Sequence, residues 1–413
     1  MSEGDFWPSS DPMFAATRED ALQRLSVFSQ KASRYSRERN HVVPDHTNVS
    51  RLSPAIRHRL ITETEVAQKV LEKYAFSTVE KFLQEVYWRR YWKGWLAMRP
   101  HVWTSYLDDL KILKSGPEMA EVEKISQGQG SVLVMNDFAK ELVETGYMHN
   151  HARMWFAAYW IHTLRLPWQL GADFFYRHLL DADPASNTLS WRWVAGLQTL
   201  GKTYLARRSN IEKYLSSDLL VGREKGLELL ENPAALKPVP AIRVPAQQCL
   251  REKIPLGSGV TGLWIHEEDL SVEKLVEDQA VEKVILTGDS GFCDSGAFSK
   301  VKRKWFDLAL SDAVKRCEKK FPNKVTVEKV KPFTQAICAW AEENDLSQVI
   351  AYWPEVGPLN DQIPGLKRAL TSINIDLIFL ERAEDESLRG YATGGFFSFW
   401  KKVEPSVRAL KDL

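Results

Sequence analysis

Three groups of residues in this 413-residue chain combine side-chain types and spacings that could do chemistry. Glu85, Trp88 and Arg89 stand at i, i+3 and i+4, so a helix would put a carboxylate, an indole and a guanidinium on one face. The same face could equally be a solvated ion pair beside a core aromatic. A second group is the loop Val49-Ser50-Arg51-Leu52-Ser53-Pro54. Hydroxyls and free backbone N–H groups ahead of a helix are what a phosphate needs, and they are also what an ordinary N-cap contains. The third group runs from Thr145 to Trp193 and reads as helix, break, helix, break and aromatic run. Within it Asn150 and Met154 stand at i and i+4, able to face one cavity, and Arg153, Asp181 and Asp183 add opposite charges. Asp183 ahead of Pro184 also suits a helix N-cap, which leaves Arg153 unexplained. Trp168, Trp191 and Trp193 belong to a set of fifteen tryptophans, and indoles can do redox work as well as pack. The string His149-Asn150-His151 suggests a metal or nuclease motif, but no acidic or cysteine partner follows at ligand spacing, so no metal site is expected.

The elements that must hold these groups change character along the chain. Residues 1–16 carry two prolines and few apolar side chains and read as a disordered lead-in. Apolar residues then recur at helical spacing from Thr17, with helices expected over about Thr62 to Tyr74, Ser77 to Met98 and Asn136 to Glu144. Pro100 to Gly130 resists placement. Residues 17–231 form one helical domain in this reading, and residues 232–258, with Pro233, Pro238, Pro240 and Pro245, form a linker. Over 259–413 the short apolar runs Leu263-Trp264-Ile265, Val284-Ile285-Leu286, Val325-Thr326-Val327, Val349 to Trp353 and Leu377 to Leu380 alternate with helical patterns. Alternation of that kind predicts a parallel sheet covered on both faces. No G-x-G-x-x-G follows the first run, so a dinucleotide fingerprint is absent.

Composition narrows the field further. The net charge of +1 means that a polyanion would be met by local basic clusters rather than by a global field. Arg89-Arg90 and Arg207-Arg208 are such clusters, whereas Lys300 to Lys304 reads as a solvated helix face. Cys249, Cys293, Cys317 and Cys338 show no paired spacing and read as reduced thiols of a cytoplasmic protein. No stretch is long enough to span a bilayer, and the expected state is a soluble monomer.

Taken together, the motifs resemble the photolyase/cryptochrome family. Thr145 to Met154 resembles its TG-x-MHN-x-x-RM helix, Trp168-Gln169-Leu170-Gly171 its WR-x-G, Asp181 to Asn187 its D-x-D-x-x-x-N, and Trp191-Arg192-Trp193 its W-x-W, all in family order. Ser50 to Pro54 resembles the TS-x-LSP loop, with Val49 in place of threonine, and Glu85 to Tyr91 resembles E-L-x-WRE-x-Y, with Arg90 in place of glutamate. Trp264 to Leu270 and Gly395 to Trp400 look like the opening and exit of the family's α/β antenna domain, with His266 and Ser271 in place of arginines. Ordinary members place that α/β domain first, so the order here looks like a circular permutation, which is tolerated when the exchanged ends lie near the interdomain surface.

The resemblance implies an all-helical FAD-binding domain followed by a Rossmann-like α/β domain. It implies FAD held by Tyr35, Ser50, Arg51, Leu52, Ser53, Phe82 and Arg89 around the phosphates and adenine. Arg153 and Asp181 would pair beside the isoalloxazine, Asp183 would line the ring or ribityl arm, and Asn187 would face N5. Trp191 and Trp168 correspond to the proximal and middle members of an electron relay. Its distal member falls where the pattern is lost, so Trp103, Trp155 and Trp160 are merely available, with core packing as the plainer role. Glu85, Trp88, Asn150, Met154 and Trp193 match the pocket that takes a flipped pyrimidine dimer, and Arg39 and His151 stand where DNA-backbone contacts are expected. The implied activity is light-driven repair of cyclobutane pyrimidine dimers in DNA, or, alternatively, blue-light reception without repair. Whether an antenna chromophore occupies the α/β domain stays open.

Overall fold

The computed structural model describes residues 14–199, 203–237, 245–247, 251, 254–272, 281–288, 298–329 and 332–412. Residues 1–13 of the expected lead-in, Pro238, Pro240, Cys249 and Cys293 lie outside these residues, and the lead-in's last part is corrected: Phe14 and Ala15 are buried in the core, Phe14 against Tyr147 with ring centroids 4.7 Å apart. The 22-residue helix Phe76–Ala97 carries bulky residues on nearly every side, from Phe82 and Tyr87 to Tyr91, Trp92 and Leu96. A helix apolar all round has to be enclosed, and this one is surrounded by Tyr35–Glu38, Glu63–Leu71, Pro184–Val194, Ala383–Arg389 and Phe396–Ala409. Its predecessor starts at Glu63 because Thr62 and Glu65 form a reciprocal capping box. Leu133–Thr145 extends the helix expected at Asn136, and ends where Gly146 turns left-handed at φ 74°. The stretch that resisted placement contains His101–Leu113, whose buried residues Val102, Trp103, Tyr106 and Leu110 form an apolar stripe, and Met119–Ser126.

The second half holds a five-stranded parallel sheet: β1 (Thr261–Ile265), β2 (Lys283–Thr287), β3 (Val325–Glu328), β4 (Gln348–Tyr352) and β5 (Asp376–Leu380). Their order β3-β2-β1-β4-β5, with β1 paired to β2 and β4, is that of a doubly wound α/β fold. The protein is thus a helical domain followed by a Rossmann-like α/β domain. Strand alternation splits the core in two. Trp264, Ile285 and Val349 pack with Phe333, Ile337 and Trp340 on one face, while Leu263, Ile265, Leu286 and Ile350 join Trp305, Leu310 and the core of the helical half on the other.

Charged side chains also cross that boundary. Asp269 accepts from Arg59 Nη1 (2.9 Å) and from Arg382 Nε (2.7 Å), and Arg59 reaches on to Asp385 at 2.8 Å. Glu268 pairs with Arg57 and, at 3.4 Å, with Lys93, while Arg90 meets Glu63 at 3.2 Å and also meets Asp385. Arg90 therefore serves this boundary in the place where the family pattern has glutamate. Gly94 matters here because a Cβ would stand only 3.0 Å from Ala392 Cβ, so the long helix and the C-terminal segment touch backbone to backbone. One expectation is corrected. Lys300, Arg303 and Lys304 are exposed, but Lys302 is buried and donates to the Tyr176 carbonyl at 2.6 Å, lying over the Phe298 ring. Burial is tolerated because the ammonium meets a carbonyl and an aromatic face.

Candidate functional site

The elements converge on one cluster between the Ser53–Arg57 helix, the Asn150–Ala158 helix and the N-terminus of Pro184–Val194. Arg153 Nη2 and Asp181 Oδ2 form an ion pair of 2.9 Å, and Arg153 Nε donates to the Met148 carbonyl at 2.8 Å. Tyr147 lies with its ring 5.3 Å from the guanidinium. Burial alone would raise the Asp181 pKa, but Arg153 overcomes it, and Ser53 lowers it further, so the carboxylate is held charged. Sequence reasoning paired Arg153 with Asp181 but overlooked Tyr147, whose aromatic type between Gly146 and Met148 was the available signal.

Arg89 Nη1 meets Asp183 Oδ2 at 2.5 Å, which ties the long helix to the start of Pro184–Val194. Asp183 is also the N-cap, accepting from Ser186 N at 2.9 Å and Ser186 Oγ at 2.7 Å. The N-cap reading of Asp183 therefore holds, with the same carboxylate paired to Arg89. Arg89 heads the influences that overcome burial and lower its pKa. Asn187 is buried and its Nδ2 donates to the Ala172 carbonyl at 2.8 Å.

The loop residue Arg51 adopts φ 54°, and Ser50 Oγ accepts from Leu52 N at 3.4 Å. Leu52 is buried and Ser53 opens the following helix. Beside the loop, Tyr35 and Phe82 meet edge to face at 5.1 Å. Burial, reinforced by Glu85, raises the Tyr35 hydroxyl pKa and keeps it neutral.

Trp191 lies against the backbone of Gly171, where an added Cβ would come within 2.3 Å of its ring. Trp168 stands three residues before Gly171 on the helix Trp168–His178, about 4.5 Å along its axis, and no ring contact joins Trp168 to Trp191 among the described residues. Gln169, standing where the family pattern has arginine, donates to Asp109 at 2.9 Å.

The remaining predicted residues lie toward the rim. Glu85 pairs with Arg39 at 2.8 Å, and burial raises its pKa against the opposing influence of Arg39 and Lys81. Trp88 stacks on Phe396 with centroids 3.8 Å apart and planes 9° from parallel. Asn150 is exposed, Met154 is half-buried one turn on, and Trp193 leans on Tyr204 at 6.0 Å. No hydrogen bond or ring contact joins Glu85 and Trp88 to Asn150, Met154 or Trp193 among the described residues. His151 sits against Trp155 at 4.3 Å and bonds to the Asn40 carbonyl at 2.7 Å. Sequence reasoning also missed the fully buried His46–Glu141 pair at 2.5 Å, because ninety-five residues separate the partners. Among the described residues no cluster of His, Cys, Asp or Glu could hold a metal ion, and no helix is long and apolar enough to cross a membrane.

The donor set fits FAD. Asp181 Oδ1 and Trp191 Nε1 are, like other side-chain atoms of the chain, buried without a protein hydrogen-bond partner, and a bound polar ring would give them one. Comparison with known proteins carries the same reading. Residues 82–217 match the family described as the FAD binding domain of DNA photolyase. A deoxyribodipyrimidine photo-lyase from Streptomyces griseus is 32% identical over 202 residues, covering 48% of this chain and 43% of that protein. Another from Alkalihalophilus pseudofirmus is 29% identical over 193 residues, covering 45% and 39%. A bacterial class III photolyase structure from Agrobacterium tumefaciens aligns over 52% of this chain and 46% of that one at 23% identity, with a TM-score of 0.43. The chain spans less than half the length of the curated relatives it matches. Residues 82–217 thus carry a helical FAD-binding domain. Through that domain the chain is similar to members of the photolyase/cryptochrome family.

Proposed function

We propose that this chain, with FAD bound, repairs cyclobutane pyrimidine dimers in DNA under light. The reading treats residues 17–231 as the FAD-binding unit and 259–413 as a permuted antenna-like unit, joined by 232–258. Bound FAD would supply light absorption and the electron. Arg153 and Asp181 would hold the ring, Ser50 to Ser53 and Arg89 would neutralise and orient the diphosphate side, and Asn187 Oδ1 would face the ring edge. Trp191 and Trp168 would pass electrons inward.

The observation that carries the repair reading is Glu85 on the same helix face as Trp88, with a carboxyl that burial pushes up. When protonated, that carboxyl would donate a hydrogen bond to a pyrimidine carbonyl, while an indole offers a stacking surface. Arg39 and His151 would meet the DNA backbone. Purified protein is expected to bind dimer-containing DNA with an affinity that falls as salt rises, and to restore the bases on illumination. Glu85→Ala is expected to lower repair several-fold with flavin content unchanged; loss of both together would make Glu85 a structural residue instead.

A second reading, a cryptochrome-like photoreceptor, has its own observation: Phe396 covers one face of Trp88 and Arg39 engages Glu85. A protein that photoreduces but neither binds nor repairs damaged DNA would establish that alternative. Either way Trp191→Phe is expected to abolish or greatly slow photoreduction, as read by flavin absorbance under blue light. Normal photoreduction in that variant would remove the relay.

A further inference from the structure

A cavity of about 30 Å³ lies between the two halves, walled by Arg57 and Tyr176 of the helical half and by Glu267, Phe298, Lys302 and Arg303 of the α/β half. That is room for roughly two or three water molecules. Three cations, Arg57, Lys302 and Arg303, line it against one carboxylate, Glu267. We propose that this cavity binds one small oxyanion of phosphate size, held between Arg57 and the start of the helix Lys300–Lys320. The proposal does not depend on whether the chain repairs DNA or senses light.

Arg57 supplies the open donor. It is buried, its Nε donates to the Ala182 carbonyl at 3.3 Å, and its Nη2 meets Glu268. Its Nη1 is buried as well, and no group among the described residues accepts from it. A guanidinium donor taken out of water costs stability until an acceptor reaches it. Glu268 does not cancel the whole charge, because Lys93 shares that carboxylate at 3.4 Å. His58, on the same wall, is held neutral by burial and by Arg57, and its Nδ1–H donates to the Glu267 carbonyl at 2.8 Å. It adds no charge of either sign.

The opposite wall is positive for two reasons. Ser299 caps the helix Lys300–Lys320, its Oγ accepting from Lys302 N at 3.2 Å, so the positive end of the helix dipole lies beside the cavity. Lys302 is buried over the Phe298 ring at 4.0 Å with its ammonium on the Tyr176 carbonyl, while Arg303 is exposed and leaves a cation at the cavity mouth. Donors from a guanidinium fork and an ammonium suit a tetrahedral oxyanion, which offers acceptors on every side. The small volume excludes an aromatic ring system or a sugar phosphate, so the ligand is the free anion. Once bound, it would join Arg57 to the far helix and stabilise the contact between the halves by mass action.

On the FAD-loaded protein, whose flavin site is already filled, equilibrium dialysis with radiolabelled inorganic phosphate is expected to show one saturable site per chain. Phosphate should also raise the unfolding midpoint more than chloride does at equal ionic strength. Arg57→Lys keeps a cation for Glu268 and removes Nη1, so phosphate binding should weaken about tenfold or more. Lys302→Gln keeps a donor for the Tyr176 carbonyl without the charge and should weaken it several-fold; it serves alone should Arg57→Lys not fold. Flavin absorbance, expected to stay at the parent level in both, separates this site from the flavin site. Glycerol 3-phosphate should bind much more weakly than phosphate, and equal binding would overturn the free anion as ligand. Absence of saturable binding to the parent would overturn the site without any variant. Undiminished phosphate binding in the variants would place the anion elsewhere and overturn it equally.

Discussion

Asp269→Ala is expected to lower the unfolding free energy by about 3–5 kcal/mol, the cost of stranding buried charge. Asp269 is buried and is the common acceptor for Arg59 and Arg382, both buried as well, and it also receives Ser271 N at 3.1 Å. Alanine would leave two guanidiniums short of a partner at the boundary between the helical and α/β halves. The loss is large against a typical total of about 5–15 kcal/mol, and a denaturation midpoint measures it. The exposed Arg408–Glu404 pair provides the contrast, since Glu404→Ala should change stability by no more than about 0.5 kcal/mol. Equal effects from the two substitutions would show that the buried network contributes nothing special.

The same carboxylate makes stability depend on acid. Burial would raise the pKa values of Glu268 and Asp269, but Arg57 and Lys93 for the first, and Arg382 and Arg59 for the second, carry both well below the usual carboxylate range. A group whose folded pKa lies below its unfolded value of about 4 adds stability above that value and loses it as pH falls toward the folded pKa. The denaturation midpoint is therefore expected to fall steeply below about pH 4, and less steeply in Asp269→Asn. An unchanged slope in that variant would assign the acid sensitivity to other groups.

Asp181→Ala is expected to weaken FAD retention by roughly thirty- to a hundredfold, from a loss of about 2–3 kcal/mol. The substitution removes the only carboxylate on Arg153 among the described residues and leaves a cation beside the ring site. The effect is put below that of Asp269 because the Arg153 side chain is 22% exposed and water can replace part of the lost partner. Asp181→Asn keeps an acceptor for Arg153 Nη2 and should fall between parent and alanine. Equilibrium dialysis of FAD against the three proteins measures the series, and equal affinities would dissociate the ion pair from cofactor binding.

Much of the helical half was legible because its signals are local. Thr62 with Glu65, the run of bulky side chains on Phe76–Ala97, and the Asp183-Pro184 start each act within a few residues, where spacing and side-chain type suffice. The strands were legible for the same reason, as short apolar runs between turns. What sequence could not decide is which distant groups meet. Arg90 departs from the family pattern, and only the fold shows that Glu63 and Asp385 receive it. Lys302 looks like a solvated lysine until the Tyr176 carbonyl is brought above it.

The sequence by itself determined most of the elements outside residues 100–130 and the order of the two halves, because periodicity, caps and motif spacing are written along the chain. The tertiary structure alone decided that Phe396 lies on Trp88, that Asp269 joins Arg59 to Arg382, and that Trp103 donates to Asp361. Those contacts join residues separated by more than a hundred positions, and their energies depend on exclusion of water and on angles between rings and carboxylates, which come into existence only when distant segments pack together.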